Sequence, residues 1–306
     1  MQKPFLATVV NFCSNEARFL QPCLEEALRF SRQVVVVVCD HFFDGTQEQR
    51  ELLELIYTSF PECHFVEYPF IPQKIPARFF KATHPSHFWH SLSRFVGLSV
   101  LDDSMETVLF LDADEVPEGH RFAEWLESSD YRQHLALKLA NYWYFREPRY
   151  QALRFEDSIV LAQKRALNPE ILLHERERDA MYDLLPGPKR RGVTDQEGKP
   201  MFHHFSWVRT KEEMLKKVST WGHRNDRNWK ALVEAEFAGS FQGKDFVHGY
   251  SYQTVRAPFA IPLDTISFQP RGKGQITRLS AEKLQELLQC RDWNLWNWLS
   301  EIFTSQ

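Results

Sequence analysis

Apolar residues in this chain fall first into short unbroken runs and then into helical stripes, and their alternation sets the fold class. Residues 5–11, 34–38 and 108–111 are apolar over almost a whole strand's length, the pattern of strands covered on both faces of a parallel sheet. Between them, Leu20, Leu24, Ala27 and Leu28 mark one helical face, on which Pro22 fits only in the first turn. A second helix begins with the acidic stretch 47–54, carries Leu52, Leu53, Leu55 and Ile56, and stops before Pro61. Residues 63–68 read as a third strand, 69–76 as a Pro-rich loop, and Ser86 as the cap of a helix running to about Leu101. Strand and helix therefore alternate over the first 115 residues, which predicts a doubly wound α/β sheet. Ligands of such sheets bind beyond the carboxyl ends of the strands.

After Glu118 the rhythm changes. A short helix at 122–126 leads to two β-rich stretches, 135–144 and 154–162, with a turn at 146–151 between them. Residues 168–183 are dense in charge, and Leu185-Pro-Gly-Pro-Lys-Arg-Arg-Gly192 reads as a mobile basic loop. Thr210-Lys-Glu-Glu213 is a capping box that starts a helix through about Val218, directly after His203, His204, Ser206 and Trp207. Residues 239–275 look irregular, and a last helix begins near Ser280.

Composition narrows the class. With 306 residues, 43% hydrophobic and 25% charged, the chain is long enough for a large core. Its formal net charge of -4 leaves no electrostatic footprint for nucleic acid, so none is expected as a partner. Five scattered cysteines with no CxxC pair suggest reduced thiols, and the N-terminal apolar run is too short for a signal peptide, so a cytoplasmic location is expected. No stretch approaches the ~20 apolar residues of a membrane span. Nine Trp are many, and Trp207, Trp221 and Trp229 read as core first and sugar-stacking surfaces second. Trp293, Trp296 and Trp298 are candidates for a partner helix or peripheral membrane contact.

The run 108–111 delivers Asp112 and Asp114 at its end. Extended backbone would point both acids the same way, roughly 6 to 7 Å apart along the strand. Such a pair of hard oxygen ligands suits Mg or Mn held jointly with a substrate's phosphates. The plain alternative is two polar residues closing a strand.

Four segments in order resemble the nucleotide-diphospho-sugar glycosyltransferases of the GT-A fold, family 2 in particular: Cys13-Ser-Asn-Glu16; Asp40 with Asp44-Gly45-Thr46; Ser93-Arg94 with Gly97; and Leu109-Phe-Leu-Asp112-Ala-Asp114-Glu115. The resemblance covers residues 5–118. It implies a Rossmann-like, mixed, mostly parallel sheet flanked by helices, with a C-terminal acceptor-side extension. It implies a nucleotide-sugar-binding half (1–118), an acceptor-side half of the same domain (119–240) and an irregular and helical extension (241–306). It also implies nucleotide-binding roles for Phe12, Ser14, Asp40, Arg94 and Asp112, and metal binding by Asp112 and Asp114. Met201-Phe-His203-His204-Phe-Ser206-Trp207 is similar to the His-x-Ser-Trp segment of the bisecting beta-1,4-mannosyl-glycoprotein N-acetylglucosaminyltransferase family, which also carries an Asp-x-Asp-Glu-x-Pro run like 112–117. On that likeness a late His completes the metal shell, His204 in preference to His203, with a core or capping histidine as the alternative. The chain lacks the Gln-x-x-Arg-Trp motif of the processive synthases.

The implied reaction moves a hexose or N-acetylhexosamine from a nucleotide-diphospho-sugar to a hydroxyl of a glycan, lipid-linked or protein acceptor. The donor is read as UDP-linked because Asp40 is placed to meet a pyrimidine edge, and inversion follows from the family likeness alone. Mn or Mg would neutralise the leaving diphosphate, with Lys189, Arg190 and Arg191 as an added basic element or a solvated charge run. Inversion needs a carboxylate base. Glu175 and Asp179 fall in a suitable stretch, with surface ion pairing to Arg176 and Arg178 as the alternative, and Glu156-Asp157 is a further option. Two rival classes remain. A haloacid dehalogenase-type phosphatase would use Asp112 as nucleophile and Asp114 as acid/base, although two or three βα units precede the motif here. A non-catalytic carbohydrate-binding protein would keep the fold without the chemistry.

Overall fold

The first half of the chain alternates strand and helix as its apolar pattern predicts: β1 (Leu6–Phe12), α1 (Ala17–Phe30), β2 (Gln33–Cys39), α2 (Arg50–Ser59), β3 (His64–Tyr68), α3 (Pro85–Ser99) and β4 (Thr107–Asp112). The structure, a computed structural model, describes residues 3–74, 85–220, 226–263 and 266–289. β1 pairs in parallel with β2 on one flank and β4 on the other, and β2 continues to β3. The chain thus lays strands outward from β1, then returns to its opposite side. At that reversal the connections after β1 and β4 leave in different directions, and a crevice opens at their carboxyl ends.

Alternate residues of each central strand enter different layers. Val10, Val36 and Leu111 pack with Phe19 and Leu24 of α1 and Leu53 of α2. Val9, Val37 and Phe110 pack with Trp89, Leu92 and Phe95 of α3. Unbroken apolar runs are what two covered faces demand, and each buried Val or Leu contributes about 1.5–3 kcal/mol. α3 lies so close to the sheet that a Cβ on Gly97 would stand 2.4 Å from Val9 Cγ1 and 2.8 Å from Val37 Cγ2. Only glycine fits there without displacing a neighbour.

The second half adds β5 (Glu115–Pro117), α4 (Gly119–Ser128), β6 (Ala136–Phe145), β7 (Glu147–Gln163), α5 (Pro169–Leu172), α6 (Glu177–Asp183), β8 (Lys189–Val193), β9 (Phe202–Trp207), α7 (Lys211–Thr220), α8 (Trp229–Glu236), β10 (Tyr252–Thr254), β11 (Gln275–Arg278) and α9 (Ala281–Gln289). Across the sheet the order is β11-β3-β2-β1-β4-β7-β6-β9-β5, with β10 beside β7 and β8 beside β6. β7 runs antiparallel to both β4 and β6, whereas β9 and β8 run parallel to β6. The expected α/β class, a mixed and mostly parallel sheet flanked by helices, is the one observed.

Several local expectations change. Pro22 lies well inside α1, because helical backbone already begins with a 3-10 turn at Ser14–Glu16 and the flanking Leu20, Cys23 and Leu24 are fully buried. Burial there outweighs one missing N–H. The predicted turn at 146–151 narrows to Arg146, at φ 59, and β7 starts at Glu147. The charge-dense stretch 168–183 contains α5, capped by the Asn168 side chain, and α6.

The basic loop is instead strand β8. Lys189 donates to the Asp183 carbonyl and Arg191 holds Asp157 through Nε at 2.8 Å. None of Lys189, Arg190 and Arg191 lines the cavity described below. Charged side chains of this kind protect an edge strand from pairing with other chains. Trp207 and Trp229 are buried with Trp143, Met214 and Val218 under α7 and α8, so they serve packing. Trp221 and the group Trp293, Trp296 and Trp298 lie outside the described residues. No helix among the described residues is long and apolar enough to cross a membrane.

Candidate functional site

A cavity of about 350 Å³ opens at the carboxyl ends of β1, β2 and β4. Its lining includes the aromatic rings of Phe12 at the end of β1, of Phe42 and Phe43 after β2, and of Tyr68. It also includes Glu16, Asp112, Asp114, Glu177, His204 and Lys217, with His87 and His90 from α3, and the Phe43 ring packs on His90 at 4.7 Å. The aromatic faces suit a flat apolar group, and the polar groups offer hydrogen-bond partners and charge of both signs.

Strand alternation does not place the two acids. β4 ends at Asp112, the chain turns at Ala113 and Asp114, and β5 starts at Glu115. Asp114 still lines the cavity, because its carbonyl accepts the Phe205 N–H at 2.8 Å and so docks the turn on β9. The same docking sets Glu115 opposite His204 in the β5–β9 register. His204 Nε2 then lies 3.5 Å from Asp114 Oδ1. Neighbouring strand residues face opposite ways, and His203 accordingly turns to the Tyr144 hydroxyl at 2.7 Å and Glu118 at 2.9 Å.

Asp112 is held by guanidinium groups. Arg94 Nη2 donates to Oδ1 at 2.9 Å and Arg178 Nη2 to Oδ2 at 3.2 Å, while Asn11 Nδ2 adds a contact to Oδ1 at 3.3 Å. Burial alone would raise the carboxyl, but Arg178 and Arg94 outweigh it and keep Asp112 ionised far below the usual range. Arg178 also donates to Glu115 Oε2 at 2.5 Å, and Glu115 accepts in addition the Asp112 N–H and the Ser158 hydroxyl, each at 2.8 Å. For Asp114, burial is likewise outweighed, here by His204 and Lys217, which hold it below the usual carboxylate range. His204 is pulled above its usual value: burial opposes charge, but Asp114 and Glu115 prevail.

Arg94 Nη1 reaches Glu177 Oε2 at 2.9 Å, and Glu177 Oε1 accepts from His87 Nδ1 at 2.5 Å. Burial opposes ionisation of Glu177, but His90, His87 and Arg94 hold it at about 2.

The remaining sequence-predicted residues are spread out. Asp40 does not line the cavity; its Oδ1 accepts the Phe70 N–H at 2.7 Å and pairs with His41 Nδ1 at 2.6 Å. Ser14 is buried beneath the floor, its N–H on Glu48 at 3.0 Å and its hydroxyl accepting from Gln49 at 3.0 Å. Arg94 lies behind Asp112. Glu175 and Asp179 border a neighbouring depression, with Asp179 paired to Lys138. Sequence reasoning passed over Glu177, His87 and Lys217, and gave Arg178 only a surface ion pair, whereas it is held by Asp112 and Glu115. Two of these lie within the stretch flagged for charge, but no motif marks them.

A divalent ion on Asp112, Asp114 and His204 can be tested against this geometry. Asp114 Oδ1 and His204 Nδ1 are buried without hydrogen-bond partners, as ligand atoms awaiting a cation would be. Both oxygens of Asp112 are instead taken by arginines, and among the described residues no three His, Cys, Asp or Glu side chains converge as a metal shell. The residues in this arrangement do not fit the ion. The same pairing counts against Asp112 as a phosphatase nucleophile, which needs an unpaired oxygen.

No family model matches this chain, and no curated protein matches it in sequence. Solved structures that align with it include the glycosyltransferase GlyE of Streptococcus pneumoniae, at 12% identity over 76% of this chain and 63% of that one, with a TM-score of 0.38. This chain therefore spans less than two thirds of that protein's length. A mutant Drosophila beta-1,4-galactosyltransferase 7 in complex with manganese, UDP-Gal and xylobiose aligns at 10% identity over 74% and 78% of the chains, TM-score 0.33. A glycosyltransferase involved in glycosylation of the major capsid of PBCV-1 aligns at 14% over 66% and 95%, TM-score 0.33.

Proposed function

We propose that this chain is a glycosyltransferase that takes a nucleotide-diphospho-sugar, UDP-linked, and passes the sugar with inversion to a hydroxyl acceptor. The observation that carries this reading is the cavity at the switch point of the sheet, lined both by aromatic rings and by Asp112, Asp114, His204 and Lys217. The base would lie against Phe12, Phe42 and Phe43, and the diphosphate would extend toward His204 and Lys217. Residues 1–118 would form most of this donor half, with Glu177 of α6, His204 and Ser206 of β9, and Lys217 and Thr220 of α7 completing the wall. Asp40 and Ser14 would act by shaping the loops that carry Phe42 and Phe12. Arg94 would act by fixing Asp112.

As the bond from the anomeric carbon to the diphosphate breaks, negative charge grows on the leaving oxygen. Lys217 lines the cavity, its ammonium 3.5 Å from Glu16 Oε1 and 3.9 Å from Asp114 Oδ2, and it would meet that charge by exchanging one of these partners. Mn or Mg remains the expected counter-charge from the sequence likeness. Because the present ion pairs do not leave Asp112 open, no step is routed through it.

The test is a thermal-shift and calorimetric series with UDP, GDP, CDP and ADP, with MnCl₂ or EDTA. Ligand at 100 times its Kd stabilises by about 2.7 kcal/mol, which for 306 residues raises Tm by about 4 °C. UDP is expected to give this shift and the others less. A melt unmoved by all four nucleotides, with and without Mn, would sink the proposal.

A further inference from the structure

We propose, resting on the glycosyltransferase reading above, that His87 is the general base for the acceptor hydroxyl and that Glu177 orients it. Glu175 and Asp179, the carboxylates suggested by sequence, border only a second depression of about 350 Å³ and not the donor cavity. His87 and Glu177 line both. They stand between the donor cavity and a polar hollow that also contains Ser158, Glu175 and Asp179. A base that takes a proton from an acceptor while the sugar arrives from the donor side has to sit at such a junction.

The pair has the geometry of an oriented imidazole. Nδ1 of His87 is 2.5 Å from Glu177 Oε1, and Oε2 of the same carboxylate is fixed by Arg94 at 2.9 Å. With Nδ1–H donating to a carboxylate, the neutral ring carries its lone pair on Nε2. Glu177 itself stays ionised at about 2, too acidic to serve as the base but suited to stabilising the imidazolium that forms. The hydrogen bond to Glu177 moves His87 upward from its usual value, against the opposing effect of burial. Among the described residues, the charged groups acting on His87 include Glu177, Asp226, Arg94 and His90. Glu177 also adopts φ 48, a left-handed conformation that strains a non-glycine residue. That strain persists because Arg94 and His87 together hold the carboxylate in place.

The step balances simply. The acceptor O–H gives its proton to His87 Nε2, the oxygen bonds to the anomeric carbon, and the bond to the diphosphate breaks with its electron pair leaving on the nucleoside diphosphate. Water follows the same course when it replaces the acceptor, which gives an assay before any acceptor is known.

The experiment measures UDP release from UDP-glucose, UDP-galactose and UDP-N-acetylglucosamine across pH 5–9, with UDP binding followed by calorimetry, for wild type, His87→Gln and Glu177→Gln. His87→Gln is expected to lower kcat by about 10²-fold to 10⁴-fold, leave UDP affinity within about twofold, and abolish the acidic limb of the kcat profile. Glu177→Gln is expected to move that limb to lower pH, since removing the anion lowers the imidazole pKa. A His87→Gln protein that binds UDP and keeps the wild-type kcat and pH profile overturns the assignment while leaving the donor site standing. Wild type that neither binds UDP nor releases it overturns the reading beneath, and the assignment with it. Should either variant fail to fold, ¹⁵N NMR of the wild-type imidazole decides: Nδ1-protonated His87 at neutral pH is expected, and an Nε2-protonated ring refutes the inference.

Discussion

Replacing Arg178 by Met probes the charge arrangement on which the cavity is built. Arg178 bridges Asp112 Oδ2 and Glu115 Oε2, and its side chain is only 12% exposed while Glu115 is fully buried. Methionine keeps most of the volume but removes the charge. Asp112 retains Arg94, so its loss is partial. Glu115 retains only neutral donors, the Asp112 N–H and Ser158, with His204 at 3.9 Å as its nearest cation. Removing one partner of a buried ion pair costs about 3–5 kcal/mol, chiefly from the charge left behind. An unfolding entropy of about 0.6 kcal/mol/K for this length converts 4 kcal/mol into a Tm about 6 °C lower. Differential scanning calorimetry measures it, and a double-mutant cycle locates the cause. Adding Glu115→Gln neutralises the abandoned carboxylate, so Arg178→Met/Glu115→Gln is expected to be more stable than Arg178→Met alone by at least about 1 kcal/mol. The freed Asp112 also lies beside Asp114 and His204, so MnCl₂ is expected to raise the Tm of Arg178→Met more than that of wild type. A single variant within 1 kcal/mol of wild type, or a double variant less stable than the single, would refute the reasoning.

Two further outcomes follow from packing and titration. Gly97→Ala places a methyl against Val9 and Val37, and the overpacking cost of about 1–3 kcal/mol exceeds the gain in helix propensity of about 1 kcal/mol, so the urea midpoint should fall; an unchanged or higher midpoint contradicts the close approach of α3. Glu177 has a folded value of about 2 against an ordinary 4.5, so its contribution, about 3 kcal/mol, is fully present above pH 4.5 and is lost as pH falls from there toward 2. Urea unfolding from pH 7 to 3 should show the loss, and Glu177→Gln should flatten that acid limb; a variant with the same acid sensitivity as wild type argues against the ion pairs to His87 and Arg94.

The part of the site legible in the sequence is the part that depends on neighbours along the chain. The doubly covered runs of β1, β2 and β4, the acids following Leu111 and the Thr210–Glu213 capping box are all local patterns. The box forms as expected, with Thr210 N–H on Glu213 at 2.9 Å and Glu213 N–H on the Thr210 hydroxyl at 3.3 Å. Patterns failed where a charge has several partners within reach. Residues 175–179 alternate acid and base, and spacing along the chain does not say which of them turns inward.

Sequence alone therefore determined the layered α/β class, the strand that ends at Asp112 and the placing of polar residues at one edge of the sheet, because hydrophobic periodicity acts over a few residues. Only the tertiary structure decided that Arg94 and Arg178 hold Asp112, that His204 faces the cavity while His203 turns away, and that His87 meets Glu177. Glu177 lies 90 residues from His87 and Arg178 lies 66 from Asp112. Pairings at that separation are set by which surfaces pack together and which buried charges must then be matched.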